Sequence, residues 1–484
     1  ITGIDNTVYY QRKGSKDEKQ QLLMYNLVDK KETTLGEING YEISADCKKM
    51  LVSQDKSYAI IDLPKGKINI EDKLDLSSME IILNRHAEWS QIFNECWRQM
   101  REYFYIPNLH GVDWKAIRSK YQPLVKYVNH RSDLTYVIGE MISELNVGHA
   151  YVGGGDTPEV SKVKTGLLGA KLSRDAASGY YRIEKILDGE NWDAKLRSPL
   201  KEIGVNVKEG EFILAVNGQS TRDMSNIYKS LVNTVGKQVT LTINSKAENK
   251  GSRKVTVIPI DKEADLYYYN WVRENIRKVN EATDGKVGYL HVPDMGRYGL
   301  NQFVKYYYPQ LHKKALIIDV RGNGGGNVSP MLIERLRREI AMITIARGTT
   351  PSTNPDAMIW GPKVCLIDEF SASDGDLFPY RFKKHELGKL IGKRTWGGVV
   401  GIRGSLPLLD GGYMYKPEFS RYDVEASKWI IEGEGVEPDI FVDNDPALEF
   451  SGIDQQLNKA IEVILEELKT QEKTIPKPPP YPEK

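Results

Sequence analysis

The sequence predicts a multidomain α/β protein, and three observations carry that prediction. The chain has 484 residues, too many for one hydrophobic core, so roughly three or four domains are expected. Its pattern changes from β-like runs to a helical period near residue 87. After residue 263, strands alternate with helices, as in proteins with a largely parallel sheet.

The composition and the cysteines argue against several kinds of function. Lys and Arg number 67 against 66 Asp and Glu, so we expect neither nucleic acid nor an anionic membrane as a partner. Cys47, Cys96 and Cys365 lie far apart, which indicates neither a disulfide framework nor a metal site. No run approaches the ~18 apolar residues of a bilayer span. No signal peptide is visible, but the chain begins at Ile1 rather than Met, so a cytoplasmic location is expected and a periplasmic one stays open.

Residues 1–80 form the first predicted domain. They alternate short β-like runs, such as TVYYQRK and SYAIIDL, with polar turns. Runs spaced in this way resemble the end of a β-propeller, an architecture that needs several blades. The alternative is a small β subdomain.

Residues 81–159 are predicted to be helical. The segment EWSQIFNECWRQMREYFY is followed by a second helix that begins near Ser132 and carries one apolar stripe as far as Leu145. The stripe stops at Gly148, and His149 then begins a short strand. A lone histidine is usually a surface or buried structural residue. His149 differs because it lies beside glycines at an element boundary, where a side chain can point into a cleft.

Residues 160–262 resemble a PDZ domain in the order and spacing of their elements. The run VKEGEFILAVNG is the most specific part of this resemblance, and a helix is expected over residues 224–232. In PDZ domains, backbone N–H groups of a glycine-containing loop bind the carboxylate of a peptide, which adds to the sheet as a strand. The alternative for this loop is a tight turn without a ligand. The corresponding loop residues here are Gly166, Leu167, Leu168 and Gly169.

Residues 263–470 are predicted to form an α/β domain, and the proline-rich tail 471–484 to be extended or disordered. Loops at the carboxyl ends of parallel strands are the expected place for a functional site. Predicted helices cover 299–311, 328–340 and 375–387, and a last apolar stripe runs from Ile453 to Leu468.

Two of the predicted strand ends in this domain carry unusual residues. ALIIDVRGNGGGN ends in glycines, and KVCLIDEFSASDGD ends in serines and aspartates. The glycine cluster matches neither the Walker pattern nor a dinucleotide fingerprint. Beside a serine, glycine N–H groups are better interpreted as an oxyanion hole. The alternative is that the serines only cap a helix.

A serine hydroxyl needs a base to become a nucleophile, either a histidine or a lysine. At these residues the chain resembles the tricorn peptidases, which share a fold with the C-terminal processing peptidases. The motifs DVRGNGGGNVS, SASDGDLF, GKLIGKRTWGGVVG and GEGVEPD carry the resemblance, which covers nearly the whole chain. It implies a ClpP/crotonase-like α/β peptidase domain with an inserted PDZ domain, preceded by the end of a β-propeller.

The resemblance also implies roles for individual residues. Ser373 becomes the nucleophile, which sets aside Ser371, and His149 becomes the general base. Glu432 becomes the acid that orients the base. Gly326 and Asp374 become the donors of the oxyanion N–H groups. Without the resemblance, Ser373 could be a helix cap, His149 a buried histidine and Glu432 a solvated turn carboxylate.

Three positions depart from related patterns. A lysine follows the Thr-aromatic-Gly sequence in Ser/Lys processing peptidases, but Gly398 stands there in this chain, which favours histidine as the base. The archaeal tricorn pattern has a serine where this chain has Gly148. It also has an acidic residue near Ile343 and Thr344 that selects basic side chains, so an apolar or mixed preference is expected here.

The expected activity is that of a serine peptidase that hydrolyses peptides through an acyl-enzyme, without a metal or organic cofactor. The resemblance implies short peptide substrates and a homo-oligomer, with a hexamer as the expected form. One alternative is a catalytically inactive peptide-binding protein. Another is a Ser/Lys peptidase that uses Lys393.

Overall fold

A computed structural model describes residues 1–14, 19–471, 473–480 and 482–483 of the protein. The chain divides into two units, Ile1–Asn84 and Arg85–Lys484. None of the helices in the described part of the chain combines the length and the apolar character that a transmembrane span needs.

The first unit consists of two antiparallel sheets joined in simple up-and-down order. Its buried residues, including Leu22, Leu35, Met50 and Val52, form one small core. The run YEISADCKKMLVSQD forms two strands, because the chain turns at Cys47, whose N–H donates to the carbonyl of Ser44 (2.8 Å). The four-stranded sheet contains β1 (Thr2–Ile4), β2 (Thr7–Arg12), β3 (Gln21–Asn26) and β4 (Lys31–Glu37), and the three-stranded sheet contains β5 (Gly40–Ile43), β6 (Lys49–Gln54) and β7 (Ser57–Asp62).

The second unit begins with a helical layer that ends in the strand after His149. Apolar residues recur along its first helix with helical spacing and pack into one core with those of its third helix. Asp113 caps the second helix by accepting hydrogen bonds from the N–H groups of Lys115 and Ala116. The elements are α1 (Arg85–Tyr103), α2 (Trp114–Tyr121), α3 (Arg131–Ser143) and β8 (Tyr151–Gly153), with short 3-10 helices at Leu109–Gly111 and Gln122–Tyr127.

An antiparallel sheet with strand order β14-β13-β11-β10-β9 follows, and β12 pairs with β11. The predicted helix over 224–232 is a 3-10 helix at Ile227–Leu231. Strand β9 forms one edge of this sheet. The strands are β9 (Ala170–Arg174), β10 (Tyr181–Ile186), β11 (Phe212–Val216), β12 (Gln219–Ser220), β13 (Val239–Asn244) and β14 (Arg253–Val257), with further 3-10 turns at Ala194–Leu196 and Pro199–Lys201.

The last part of the unit contains a five-stranded parallel sheet with order β15-β16-β19-β20-β23. Two smaller antiparallel pairings, β17 with β18 and β21-β22-β8, complete it. The strands are β15 (Val287–His291), β16 (Ala315–Asp319), β17 (Met342–Thr344), β18 (Ser352–Asn354), β19 (Lys363–Ile367), β20 (Gly388–Gly392), β21 (Ser405–Pro407), β22 (Tyr413–Tyr415) and β23 (Ile440–Phe441). The helices are α4 (Ala264–Ala282), α5 (Arg297–Tyr307), α6 (Ser329–Leu336), α7 (Asp374–Lys384), α8 (Pro446–Phe450) and α9 (Gln455–Gln471), with a 3-10 turn at Tyr308–Gln310.

The parallel sheet is covered on both faces, as its uninterrupted apolar strands require. On one face, Leu316 and Ile318 pack with residues of α5, α6 and α7. On the other face, Ala315 and Ile317 pack with residues of α4 and α9. The carboxyl ends of β16 and β19 lie next to each other, since Asp319 pairs in register with Leu366. The loops that carry the glycine cluster and Ser373 therefore leave the sheet at the same edge.

Candidate active site

Ser373 lies in the connection from β19 to α7, immediately before the helix. Its backbone takes φ 59° and ψ −118°, a conformation that residues other than glycine rarely adopt and that costs of order 1–3 kcal/mol. Its side chain makes no capping hydrogen bond to α7, so the helix-cap explanation does not hold for this serine. Ser371, in contrast, is buried and donates to the carbonyl of Val320 (2.9 Å). Ser373 therefore carries the available hydroxyl.

The glycine loop after β16 packs directly against Ser373. A Cβ placed on Gly325 would lie 2.6 Å from the Cβ of Ser373 and 3.0 Å from the backbone nitrogen of Asp374. A Cβ on Gly326 would lie 2.1 Å from the carbonyl oxygen of Met295. Both glycines also have positive φ angles, 92° and 149°. Only glycine allows the loop to approach the serine so closely.

Two backbone N–H groups border this contact. The N–H of Asp374 belongs to the first turn of α7, where N–H groups have no acceptor within the helix. Gly326 pairs with Met295 through two hydrogen bonds, from the Met295 N–H to the Gly325 carbonyl (2.8 Å) and from the Asn327 N–H to the Met295 carbonyl (2.7 Å). The N–H of Gly326 takes no part in this pairing. The two N–H groups belong to the two segments that meet at Ser373, the glycine loop and the start of α7.

The side chain of Asp374 fixes the start of α7. Its carboxylate accepts hydrogen bonds from the N–H (2.9 Å) and the hydroxyl (2.5 Å) of Ser329 and from the guanidinium of Arg381 (3.2 Å). These bonds join α7 to the first residue of α6. Because Asp374 is buried and held on several sides, its backbone N–H has a fixed direction.

A second network fixes the glycine loop. The guanidinium of Arg321 pairs with the carboxylates of Asp319 (2.6 Å) and Asp454 (2.8 Å), and its side chain is only 9% exposed. The amide of Asn323 donates to the carbonyl of Val292 (2.7 Å). The loop is thus tied to its own strand, to the segment before α9 and to the end of β15.

Glu432 reaches the site from a loop near the end of the parallel sheet. Its carboxylate accepts three backbone hydrogen bonds, from the N–H groups of Gly148 (2.7 Å), Val399 (2.7 Å) and Val400 (2.9 Å). This arrangement excludes the alternative of a solvated turn carboxylate. Glu432 instead joins the residue before His149 to the segment that follows Trp396.

His149 lies half-buried beside Trp396, with the two ring centroids 5.7 Å apart and the planes at 75°. Its φ angle is 60°, in the left-handed region that residues other than glycine rarely adopt. Burial lowers the pKa of His149, the charge of Glu432 raises it and that of Arg421 lowers it, so the pKa is lowered overall. A lowered pKa keeps the imidazole neutral, the form that accepts a proton. The Nδ1 atom is buried and has no hydrogen-bond partner among the described residues.

The structure brings the predicted residues to one region but does not join them all directly. Glu432 contacts the backbone of Gly148, and His149 is the next residue. The N–H of Trp396, which packs on His149, donates to the carbonyl of Ser371 (3.0 Å), two residues from Ser373. Among the described side chains, no hydrogen bond links His149 to Ser373 or to Glu432.

Two glycines stand where the related patterns have a serine and a lysine. A Cβ on Gly148 would lie 3.2 Å from the Cα of Gly398 and 3.3 Å from an oxygen of Glu432, so a larger residue would press on the acid. A Cβ on Gly398 would lie 2.1 Å from the ring of Trp396. Lys393, the alternative base, instead pairs with Glu369 (2.7 Å) and Asp443 (3.2 Å).

The sequence analysis missed Asp376, which lies inside the same SDGD motif. This carboxyl is fully buried, and one oxygen accepts the N–H of Gly397 (2.7 Å). The other oxygen is buried without a partner among the described residues. Burial raises the pKa of Asp376 to about 6, although the nearby hydroxyl of Thr395 and nearby backbone N–H groups lower it. The sequence could have pointed to Asp376 through its position three residues after Ser373, which places it on the inner side of the first helical turn.

In the loop predicted to bind a peptide end, three of the four N–H groups already have acceptors within the chain. Those of Gly166 and Leu167 donate to the carbonyls of Leu231 and Ile260 (both 2.7 Å). The N–H of Gly169 donates to the side chain of Glu263 (2.7 Å). As described, this loop does not present a set of free donors, because the neighbouring segments of the chain use them.

Comparison with known protein families gives three matches along the chain. Residues 85–143 match the tricorn protease C1 domain, and residues 166–262 match the tricorn protease PDZ domain. Residues 286–442 match peptidase family S41. The order of the three domains agrees with the motifs that carry the resemblance in the sequence.

Curated proteins and solved structures give consistent similarities. Tricorn protease homolog 1 of Streptomyces coelicolor is 34% identical over 473 residues, which cover 96% of this chain and 43% of that protein. The tricorn protease of Thermoplasma acidophilum is 32% identical over 472 residues, 97% of this chain and 43% of that protein. This chain therefore spans less than half the length of either relative.

The crystal structure of the tricorn protease superposes on this structure with a TM-score of 0.86 at 30% identity, covering 96% of this chain and 46% of that one. Family S41 contains serine peptidases, so these matches support a peptidase rather than an inactive binding protein. Together they identify the chain as a relative of the tricorn proteases that carries their C1 and PDZ domains and a family S41 peptidase domain.

Proposed function

We propose that this protein is a serine peptidase that hydrolyses short peptides through an acyl-enzyme formed on Ser373. The observation that carries the proposal is the position of Ser373. It is held in a strained backbone conformation before α7, with its hydroxyl not used as a cap and a glycine loop packed against it. Strain of this kind is found where the surrounding structure fixes a functional residue.

In the proposed mechanism, His149 accepts the proton of Ser373 as the hydroxyl attacks the peptide carbonyl. The N–H groups of Gly326 and Asp374 stabilise the oxyanion of the tetrahedral intermediate. His149 then gives the proton to the leaving amine, and water repeats the sequence on the acyl-enzyme. Catalytic hydrogen bonds often shorten only when substrate is bound, so the hydrogen bond from Ser373 to His149 forms in the complex.

Glu432 acts on the base in two ways in this proposal. Its charge raises the pKa of His149 and so stabilises the imidazolium that forms during the reaction. Its hydrogen bond from the N–H of Gly148 also fixes the backbone that carries the imidazole. All steps use groups of the chain itself, with no metal or organic cofactor.

The wider assignments are part of the same proposal. The segment around Ile343 and Thr344 lacks an acidic residue, which favours apolar or mixed side chains at the cleavage site. We also propose a cytoplasmic homo-oligomer, with a hexamer as the expected form, and a ClpP/crotonase-like peptidase domain. The domain limits proposed are 1–80 for the end of a β-propeller, 81–159 for the segment with the base, 160–262 for the PDZ domain, 263–470 for the catalytic domain and 471–484 for the tail.

Labelling with a fluorophosphonate and hydrolysis of fluorogenic peptides test the nucleophile. The Ser373→Ala variant should lose labelling, and its kcat should fall by about 10⁶-fold, because the hydroxyl and its base act as a unit. Ser371→Ala is the matched control, since that hydroxyl is bonded to the carbonyl of Val320 and should not react. Labelling that persists in Ser373→Ala, or that disappears only in Ser371→Ala, would contradict the assignment.

A further inference from the structure

The PDZ loop contains a carboxylate from its own chain. One oxygen of Glu263, the residue before α4, accepts the N–H of Gly169 (2.7 Å), and the backbone of Ala170 lies close enough to this carboxylate to lower its pKa. A carboxylate bound by backbone N–H groups is the contact that a PDZ loop makes with the end of a peptide. Glu263 thus uses the Gly169 donor of the loop, whereas the N–H groups of Gly166 and Leu167 donate to backbone carbonyls.

The role of Glu263 is not that of a helix cap. Although it is the N-cap residue of α4, its side chain makes no hydrogen bond to the N–H groups of that helix. Burial raises the pKa of Glu263, against the lowering by the two N–H groups. The partly buried carboxylate of Glu263 therefore has its hydrogen-bond partner in the loop and not in its own helix.

The elements next to this loop correspond to those that flank the peptide in a PDZ domain. Strand β9 is an edge strand, so one side of its backbone is available for a further strand. Leu168 packs in the same apolar core as Ile227 and Leu231 of the facing 3-10 helix. Tyr228 from that helix and Tyr267 from α4 lie close enough to Glu263 for its charge to raise the pKa of both tyrosines.

We propose that Glu263 is a built-in competitor for the PDZ loop, so that a peptide with a free, apolar C-terminal residue binds beside β9 only after Glu263 has left. Glu263 directly precedes α4, and α4 packs on β15 of the catalytic sheet through Val279 and Tyr289. Release of Glu263 by a peptide therefore changes the junction between the PDZ and catalytic domains. This inference concerns binding and does not depend on catalysis by Ser373.

Peptide binding to the 484-residue chain tests the proposal. Fluorescence anisotropy is measured with a labelled pool of decapeptides that end in valine or leucine, with a free carboxylate in one pool and an amide in the other. All proteins carry Ser373→Ala, so that no peptide is cut. The Glu263→Ala variant should bind the carboxylate pool at least about tenfold more tightly than the parent, because the internal competitor is gone. The amide pool should show no such gain.

Two further variants keep the test decisive. Asp261→Ala is the matched control, since Asp261 lies two residues away and pairs with Lys164 (3.3 Å) rather than with the loop; its affinity should equal that of the parent. Glu263→Gln retains an oxygen acceptor for Gly169 without the charge and should show a smaller gain in affinity. This variant tests the proposal even if Glu263→Ala does not fold. The proposal is overturned if neither variant gains affinity for the carboxylate pool, or if both pools gain equally.

Discussion

At the scale of single residues, the electrostatic relation between Glu432 and His149 gives a prediction with a defined sign. Burial lowers the pKa of His149 and the charge of Glu432 raises it. The base must be neutral, so activity is lost as the pH falls through the pKa of His149. Glu432→Gln removes the raising contribution, and the acid limb of kcat/KM should therefore move to lower pH.

The same variant should also lose rate, by on the order of 10²- to 10⁴-fold, as expected when the acid that orients a histidine loses its charge. The pH profile separates this role from a purely structural one, because a misfolded loop would lower kcat without moving the limb. An acid limb that stays in place or moves to higher pH would show that Glu432 does not act on His149.

At the scale of elements, α4, the 19-residue helix before the parallel sheet, was not predicted from the sequence. Apolar periodicity predicted α5, α6, α7 and α9, and short apolar runs predicted β15, β16, β19 and β20. Their ends were less predictable. Helix α5 ends at Tyr307, where the chain tightens into a 3-10 turn that contains Pro309, and α6 ends four residues before its predicted limit. The three-residue strands β17, β18, β21 and β22 were not predicted, because three residues are too few to show alternation and because tertiary contacts set their pairing. The short strand expected at His149 is β8, which begins two residues later, at Tyr151.

Asp376 shows how α7 and the segment around Gly397 depend on each other, and it gives a second prediction. Its pKa is raised to about 6 by burial. A carboxyl with a raised pKa contributes most stability below its unfolded value of about 4 and loses it as the pH rises through about 6. Asp376→Asn removes this loss, so relative to the wild type it should gain about 2 kcal/mol between pH 4 and pH 7.

Thermal unfolding of both proteins at pH 4 and at pH 7 measures this difference. The Tm of Asp376→Asn should rise relative to that of the wild type as the pH increases, and the hydrogen bond from Gly397 to the remaining oxygen should keep the site intact. Asp356→Asn, at an exposed position, controls for the change in net charge. An equal Tm difference at the two pH values would mean that the carboxyl of Asp376 is not the group that titrates.

At the scale of the whole molecule, the site combines residues whose proximity no local pattern contains. Glu432 and Gly148 lie 284 positions apart in the chain and are joined by one hydrogen bond. Strand β8, which follows His149, pairs with β22, more than two hundred residues later. The family resemblance supplied the expected roles of these residues. The backbone hydrogen bonds of Glu432 and the contact of Glu263 with the PDZ loop depend on tertiary geometry, so only the structure reveals them.

A buried ion pair joins Arg131 of α3 to Asp410 in the turn between β21 and β22, and so connects the helical layer to the sheet that contains β8. Both side chains are buried, with 2% and 1% exposed, and glycines at positions 155 and 412 leave room for them. Arg131→Met leaves Asp410 buried without its partner, which should cost about 3–5 kcal/mol. The urea midpoint followed by tryptophan fluorescence measures the loss, since Trp89, Trp97 and Trp114 lie in the core that α3 helps to form.

Two comparisons define the outcome of this experiment. Combining Arg131→Met with Asp410→Asn removes both charges and should recover a large part of the lost stability, because no unpaired charge stays buried. Lys469→Met, which breaks an exposed pair with Glu466, should cost less than about 1 kcal/mol. If Arg131→Met is as mild as Lys469→Met and fluorophosphonate labelling of Ser373 is unchanged, the strand after His149 is held by β22 alone, and the buried pair has no part in assembling the site.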